Sequence, residues 1–152
     1  MKQIWITEAG APEVLKVRET ADPKPQVDEV LVDVRASGVN FADIMARLGV
    51  YPDAPDIPCV VGYELAGVVE ETGESVTRFE AGSPVIGISR FGGYSSKIVL
   101  PETSLYPLPE DWDFAEGAGF PVNYLTAFQL LVIMGNIRES ESVLIHSAGG
   151  GV

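Results

Sequence analysis

The sequence predicts a mainly β protein with short helices: a partly closed β-barrel, followed by the first helix and strand of a dinucleotide-binding unit. Three observations carry that reading. Over 1–120, short alternating apolar runs are punctuated by glycine and proline at close intervals, the pattern of strands joined by tight turns. Beyond residue 120 the spacing becomes helical. A strand-like Val143-Leu144-Ile145-His146 then runs directly into Ser147-Ala148-Gly149-Gly150-Gly151-Val152, which is how a βαβ dinucleotide unit begins.

Composition sets the outer limits. With 152 residues, 46% hydrophobic content and a mean hydropathy of +0.18, the chain carries enough apolar surface for a sizeable core. Ten basic against 22 acidic residues give a net charge of −12, which argues against nucleic acid and anionic membrane as partners. An acidic body also repels a pyrophosphate, so a dinucleotide has to be held by local backbone dipoles or by basic residues outside this segment. Cys59 is the single cysteine, which excludes an internal disulfide framework. With no signal peptide in view, the reading is cytoplasmic. The longest apolar candidate, Leu125–Met134, is too short to cross a membrane, and no stable membrane insertion is expected.

The elements follow in order. Residues 3–7 alternate as a first strand, Gly10 and Pro12 turn the chain, and Val14–Glu19 alternates again. Pro23 and Pro25 stiffen an exposed connector. Glu29–Ala36 is a strand that runs into Gly38, and Asn40 stands at the lip of a short helix that its amide can cap. Phe41, Ile44, Met45 and Leu48 give that helix one apolar face, Asp43 and Arg47 form an i,i+4 pair, and Gly49 stops it. A proline-rich loop leads to a long strand over Val60–Glu71, broken by Gly62 and Gly67. Strands at Val85–Ile88, Ser95–Leu100 and Leu105–Pro109 complete the barrel. Asp111 or Asp113 caps a short helix toward Gly119, Pro121 opens a longer one through Met134, and Ser142–His146 is a strand.

The run Ser37-Gly38-Val39-Asn40-Phe41-Ala42-Asp43, with Leu48-Gly49-Val50-Tyr51 behind it and Gly62-Tyr63-Glu64-Leu65-Ala66-Gly67-Val68-Val69 one loop later, resembles the catalytic-domain signature of the medium-chain dehydrogenase/reductase superfamily. It is most similar to the zinc-independent quinone oxidoreductase branch, and within it to the vesicle amine transport protein homologues. The resemblance extends through Gly82-Ser83-Pro84-Val85 (in place of G-D-x-V), Gly92-Gly93-Tyr94, Val122–Ala127 and Val143–Val152, which is similar to the A-x-x-G-G-V-G phosphate loop without its final glycine. It implies a GroES-like catalytic domain over 1–120 and the truncated start of a Rossmann domain over 121–152.

The same resemblance speaks to the chemistry. In the zinc alcohol dehydrogenases of the superfamily, catalytic zinc is held by cysteine and histidine; this chain has Asn40, Tyr63 and Val122 at the matching places, so no zinc is expected. Without a Lewis acid, developing charge on a substrate oxygen needs hydrogen-bond donors. The resemblance puts Asn40 near the nicotinamide and Tyr51 near the substrate as the catalytic pair. It puts Thr126 near the nicotinamide ribose, and Gly150, Gly151 and Val152 at the phosphates. From the residues alone, Asn40 serves equally as a helix cap, Tyr51 as a loop aromatic packed on the core, and Thr126 as a helix-face hydroxyl bonded to its own backbone. Glu64 reads as a structural carboxylate accepting backbone hydrogen bonds, Tyr63 as a half-buried aromatic, and His146 as a core histidine.

The implied activity is NADPH-dependent reduction of a small-molecule quinone or enone, with hydride passing to a conjugated carbonyl acceptor. The alternatives are an enoyl reductase acting on enoyl thioesters and a non-catalytic membrane-trafficking or lipid-binding adaptor. The segment alone is expected to be inactive and without measurable NADPH affinity. An unpaired strand edge is expected to drive homodimer formation or other self-association.

Overall fold

The computed structural model describes all 152 residues. Two antiparallel sheets form the body. The first is a hairpin of β1 (Lys2–Ile6) and β2 (Leu15–Glu19). The second contains β3 (Glu29–Ser37), β4 (Glu64–Thr72), β5 (Pro84–Ile88), β6 (Lys97–Pro101) and β7 (Leu105–Pro107), in the order β6-β3-β4-β5-β7. Single bridges from Gln3 to Ser95 and from Ile6 to Cys59 join the hairpin to the rest, so the barrel is closed only in part.

The alternation that marks the strands also fills the core. Val30, Val32, Leu65, Val69, Val85, Leu100 and Leu105 form the main apolar cluster between the strands. Ile6, Ala46, Cys59 and Val61 form a second one beneath the hairpin, with Tyr51, Phe91 and Tyr94 packed against it. Burying each large aliphatic side chain of this kind is worth about 1.5–3 kcal/mol. Gly67 lets β3 and β4 meet closely at a register shift: a Cβ there would stand 2.2 Å from the carbonyl oxygen of Asp33.

Three short helices complete the fold: α1 (Phe41–Arg47), α2 (Phe114–Gly119) and α3 (Pro121–Phe128). Of the two expected caps, Asp111 and Asp113, it is Asp113 that caps α2, accepting from the Glu116 N–H at 2.8 Å while Glu116 accepts from the Asp113 N–H at 2.9 Å. The buried Gly117 and Ala118 lay α2 on the five-stranded sheet, where a Cβ on Gly117 would meet Leu108, Ile86 and Ala66.

Three expectations are corrected, and the orientation of α1, which the spacing leaves open, is set. The helix from Pro121 keeps α geometry only to Phe128, then widens to a π-helical turn over Gln129–Met134 that ends at Gly135. Ser142–His146 forms no strand: a strand exists through its ladder, and no neighbouring segment pairs with it. The long strand expected from Val60 begins only at Glu64, because Gly62, with φ +103°, turns the chain beside the Tyr94 ring. The apolar stripe of α1 faces outward, with Phe41 72%, Ile44 39% and Leu48 44% exposed, while Asp43 and Ala46 are buried.

Candidate functional site

The site is assembled at the turn between β3 and α1. Gly38 leaves β3 against Glu64 with no room for a side chain, since a Cβ would lie 2.2 Å from Glu64 Oε1 and 2.6 Å from the Ala118 carbonyl oxygen. Two residues on, Asn40 enters α1 at 9% exposure. The adjacent buried carboxylate of Asp43 explains why the polar face of α1 turns inward. Asp43 Oδ2 accepts from the Asn40 N–H at 2.9 Å and Oδ1 accepts from the Gly62 N–H at 3.1 Å. Asp43 therefore makes no ion pair with Arg47, whose guanidinium donates instead to the Gly10 carbonyl. A buried carboxylate needs donors more than an exposed helix needs an i,i+4 pair.

The Asn40 carboxamide points into the protein. Its Nδ2 donates to Glu64 Oε1 at 2.8 Å, and Glu64, 1% exposed, accepts at Oε2 from the Val122 N–H, also at 2.8 Å. Val122 is the second residue of α3, so its N–H lies in the first turn and has no intrahelical acceptor; a carboxylate at the helix start satisfies it and complements the helix dipole. Glu64 is thus a structural carboxylate of the expected kind, accepting one backbone donor and one side-chain donor.

The other expected residues fall as follows. Thr126 is half-buried on α3, one turn beyond Val122. The glycine run folds into a turn, with the Gly150 N–H donating to the Ser147 carbonyl at 2.8 Å. Gly151 lies against α3, where a Cβ would come within 2.6 Å of Asn123 Oδ1, and Asn123 itself donates to the Gly119 carbonyl at 2.9 Å. Val152 is exposed, as is His146, which corrects the core-histidine reading: a strand that does not pair buries nothing. Contacts therefore run from Asn40 through Glu64 to the first turn of α3, where Gly151 also packs. Val122 and Asn123 are the site residues that sequence reasoning missed in these roles; Pro121, which marks a helix start and so puts the next N–H in the unpaired first turn, was the available signal.

Tyr51 lies in the loop after α1. Its ring packs on the second core cluster and meets Tyr63 edge-on at 6.5 Å between centroids. The buried hydroxyls of Tyr63 and Tyr94 have no hydrogen-bond partner. Burial, then the neighbouring Tyr51, raises the Tyr63 phenol above its usual range. Burial, then the carboxylate of Asp43, does the same for Tyr94, so both stay protonated at neutral pH. A cavity of about 580 Å³ opens between the β1/β2 hairpin, the end of β3 and α1, lined by Ile4, Leu15, Val17, Val34 and Ile44 among others. Asn40, Tyr51 and Thr126 do not line it. No group of three or more His, Cys, Asp or Glu side chains converges as a metal site, and no helix is long and apolar enough to cross a membrane.

Comparison with known proteins adds the family. Residues 26–110 match the alcohol dehydrogenase GroES-like domain. The chain is 38% identical over 152 residues to the mouse synaptic vesicle membrane protein VAT-1 homolog-like, covering 100% of itself and 36% of that protein. It is 39% identical over 154 residues to rat quinone oxidoreductase, covering 47% of it. The crystal structure of the human synaptic vesicle membrane protein VAT-1 homolog-like protein superposes with a TM-score of 0.94 at 37% identity, over 99% of this chain and 49% of that one. That of Escherichia coli quinone oxidoreductase complexed with NADPH superposes with a TM-score of 0.79 at 33% identity, over 86% of this chain and 40% of that one. The chain spans between about a third and half of the length of these relatives.

Proposed function

The chain belongs to the alcohol dehydrogenase GroES-like domain family of the medium-chain dehydrogenase/reductase superfamily, and on that premise we propose that it is the substrate-side part of a zinc-independent, NADPH-dependent quinone or enone oxidoreductase. In this reading 1–120 is the catalytic domain and 121–152 begins the cofactor domain. The observation that carries it is the Asn40–Glu64–Val122 connection, which ties the asparagine turn of the barrel to the first turn of α3.

The residues fit the cofactor. The turn at Gly149–Gly151 is exposed and the space beside Gly149 is open; a phosphate held there takes the Gly150 N–H from the Ser147 carbonyl. Gly150, Gly151 and Val152 would hold the phosphates, with Thr126 and Asn40 toward the nicotinamide ribose. When bound, NADPH supplies the hydride. The protein's share is orientation and electrostatics. One N–H of Asn40 goes to Glu64, and the second is left to polarise the carbonyl of a conjugated acceptor. Tyr51 binds at the same carbonyl, and water or a tyrosine returns the proton. The proposal places the protein in the cytoplasm, as a homodimer formed through an open strand edge.

The test is steady-state turnover by the intact protein with NADPH on a quinone, an enone and an enoyl thioester. Quinone or enone reduction is expected to dominate, and Asn40→Ala to lower kcat by about tenfold or more. Preferred turnover of the thioester would move the assignment to an enoyl reductase. Association with liposomes without turnover would make the protein a lipid-binding adaptor. Calorimetry on the 152-residue chain alone is expected to show no NADPH affinity, and micromolar binding would contradict that.

A further inference from the structure

We propose that Glu64 is a positioning residue: its carboxylate sets which way the Asn40 carboxamide faces while holding the first turn of α3 against the barrel. The functional half of this inference rests on the oxidoreductase reading above; the structural half stands on geometry alone. Glu64 is 1% exposed, and its two oxygens accept from two different elements, Asn40 Nδ2 at 2.8 Å and the Val122 N–H at 2.8 Å. No salt bridge reaches either Glu64 or Asp43. A buried carboxylate without a cation is tolerated only where donors surround it. Here the same asparagine is held twice, at its main-chain N–H by Asp43 and at its carboxamide by Glu64. Gly38 adds that the space is shaped for the carboxylate, because a side chain at that position would displace Oε1.

The consequence follows from hydrogen-bond inventory. A carboxylate can accept from both partners; a primary amide of the same shape has one acceptor and one donor end. The Val122 N–H can only donate, so the oxygen of a glutamine at position 64 has to stay with it. The amide end then faces Asn40, whose carboxamide satisfies it only by rotating half a turn to present Oδ1. Glu64→Gln therefore exchanges donor for acceptor at Asn40 with little change of volume.

The experiment uses the intact protein, selectively labelled with ¹⁵N at asparagine side chains. In the native protein the Asn40 amide protons are expected among the slowest-exchanging side-chain amides, with one shifted downfield by its charged acceptor. In Glu64→Gln that downfield proton is expected to disappear while the main-chain signals of α2 and β4 hold their positions. An unshifted, fast-exchanging Asn40 amide in the native protein, or the same signal in both proteins, overturns the positioning role whatever the activity. For function, Glu64→Gln is expected to lower kcat for quinone by about tenfold with KM changed by less than about threefold. In an Asn40→Ala background the same substitution is expected to have no further effect on kcat. A full additional loss in that background would show that Glu64 does not act through Asn40. Absence of quinone turnover by the native protein would remove the oxidoreductase reading and leave the resonance result to decide the positioning role.

Discussion

The barrel over 1–120 and the segment over 121–152 are built from similar proportions of apolar residues, yet they use them in opposite ways. Every buried residue lies at or before Pro121. After it, Tyr124, Leu125, Phe128, Ile133, Met134, Leu144 and Ile145 are all exposed, Leu144 to 82%. The difference is one of partners rather than of sequence hydrophobicity. In the barrel, each alternating strand finds neighbours that cover one face, as when Val32 pairs with Val69 on one side and Ile98 on the other. In the later segment, α3 touches the barrel at its first turn, and most of the remaining apolar positions are exposed.

Truncation of matched leucines separates the two regions most strongly. Leu65→Ala, at a site with 0% exposure in the main cluster, is expected to cost about 2–5 kcal/mol in chemical denaturation. Leu144→Ala is expected to change stability by less than about 0.5 kcal/mol. A comparable loss at both positions would mean that the later segment is covered in solution.

Self-association sharpens the same contrast. Val17 in β2 is 68% exposed on a strand paired on one side only. If an open edge of the barrel makes the proposed homodimer, Val17→Lys is expected to shift sedimentation to the single-copy species, and Leu144→Lys to leave it unchanged. The reverse pattern would move the interface to the later segment.

The smallest effect concerns the chain start. The Lys97 ammonium, then the N-terminal ammonium, hold the Asp22 carboxyl down at about 2, below its ordinary 3.8. A carboxyl lowered on folding adds stability above its unfolded value and loses it as pH falls through its folded value. The Asp22 contribution is thus complete above about pH 4 and fades toward pH 2. Asp22→Asn is expected to flatten the melting temperature slightly between these pH values, with hydrogen exchange at Lys2 and Thr20 responding first. No change in slope would show the cluster to be too well solvated to contribute.

Much of the barrel was legible in the sequence. The expected strands at 3–7, 14–19, 29–36 and 85–88 lie within a residue or two of β1, β2, β3 and β5, because alternation and glycine or proline turns are local signals. The cap at Asp113 and the stop at Gly49, with φ +73°, were legible for the same reason. Asn40 and Glu64 could each be singled out, but their contact spans 24 positions and carries no spacing signature. The outward turn of Phe41, Ile44 and Leu48 was equally hidden, since periodicity shows that a face is apolar without showing what lies opposite it.

The amino-acid sequence by itself determined where chain segments extend, turn and begin helices, since those choices depend on side chains within a few residues. Tertiary structure alone decided which elements had partners. It turned Asp43 rather than the apolar stripe of α1 inward, placed one carboxylate between Asn40 and Val122, and left Ser142–His146 without a ladder. The physical reason is that burial and strand pairing are satisfied only by atoms distant in sequence, and a buried carboxylate takes its orientation from whichever N–H groups the folded chain brings within reach.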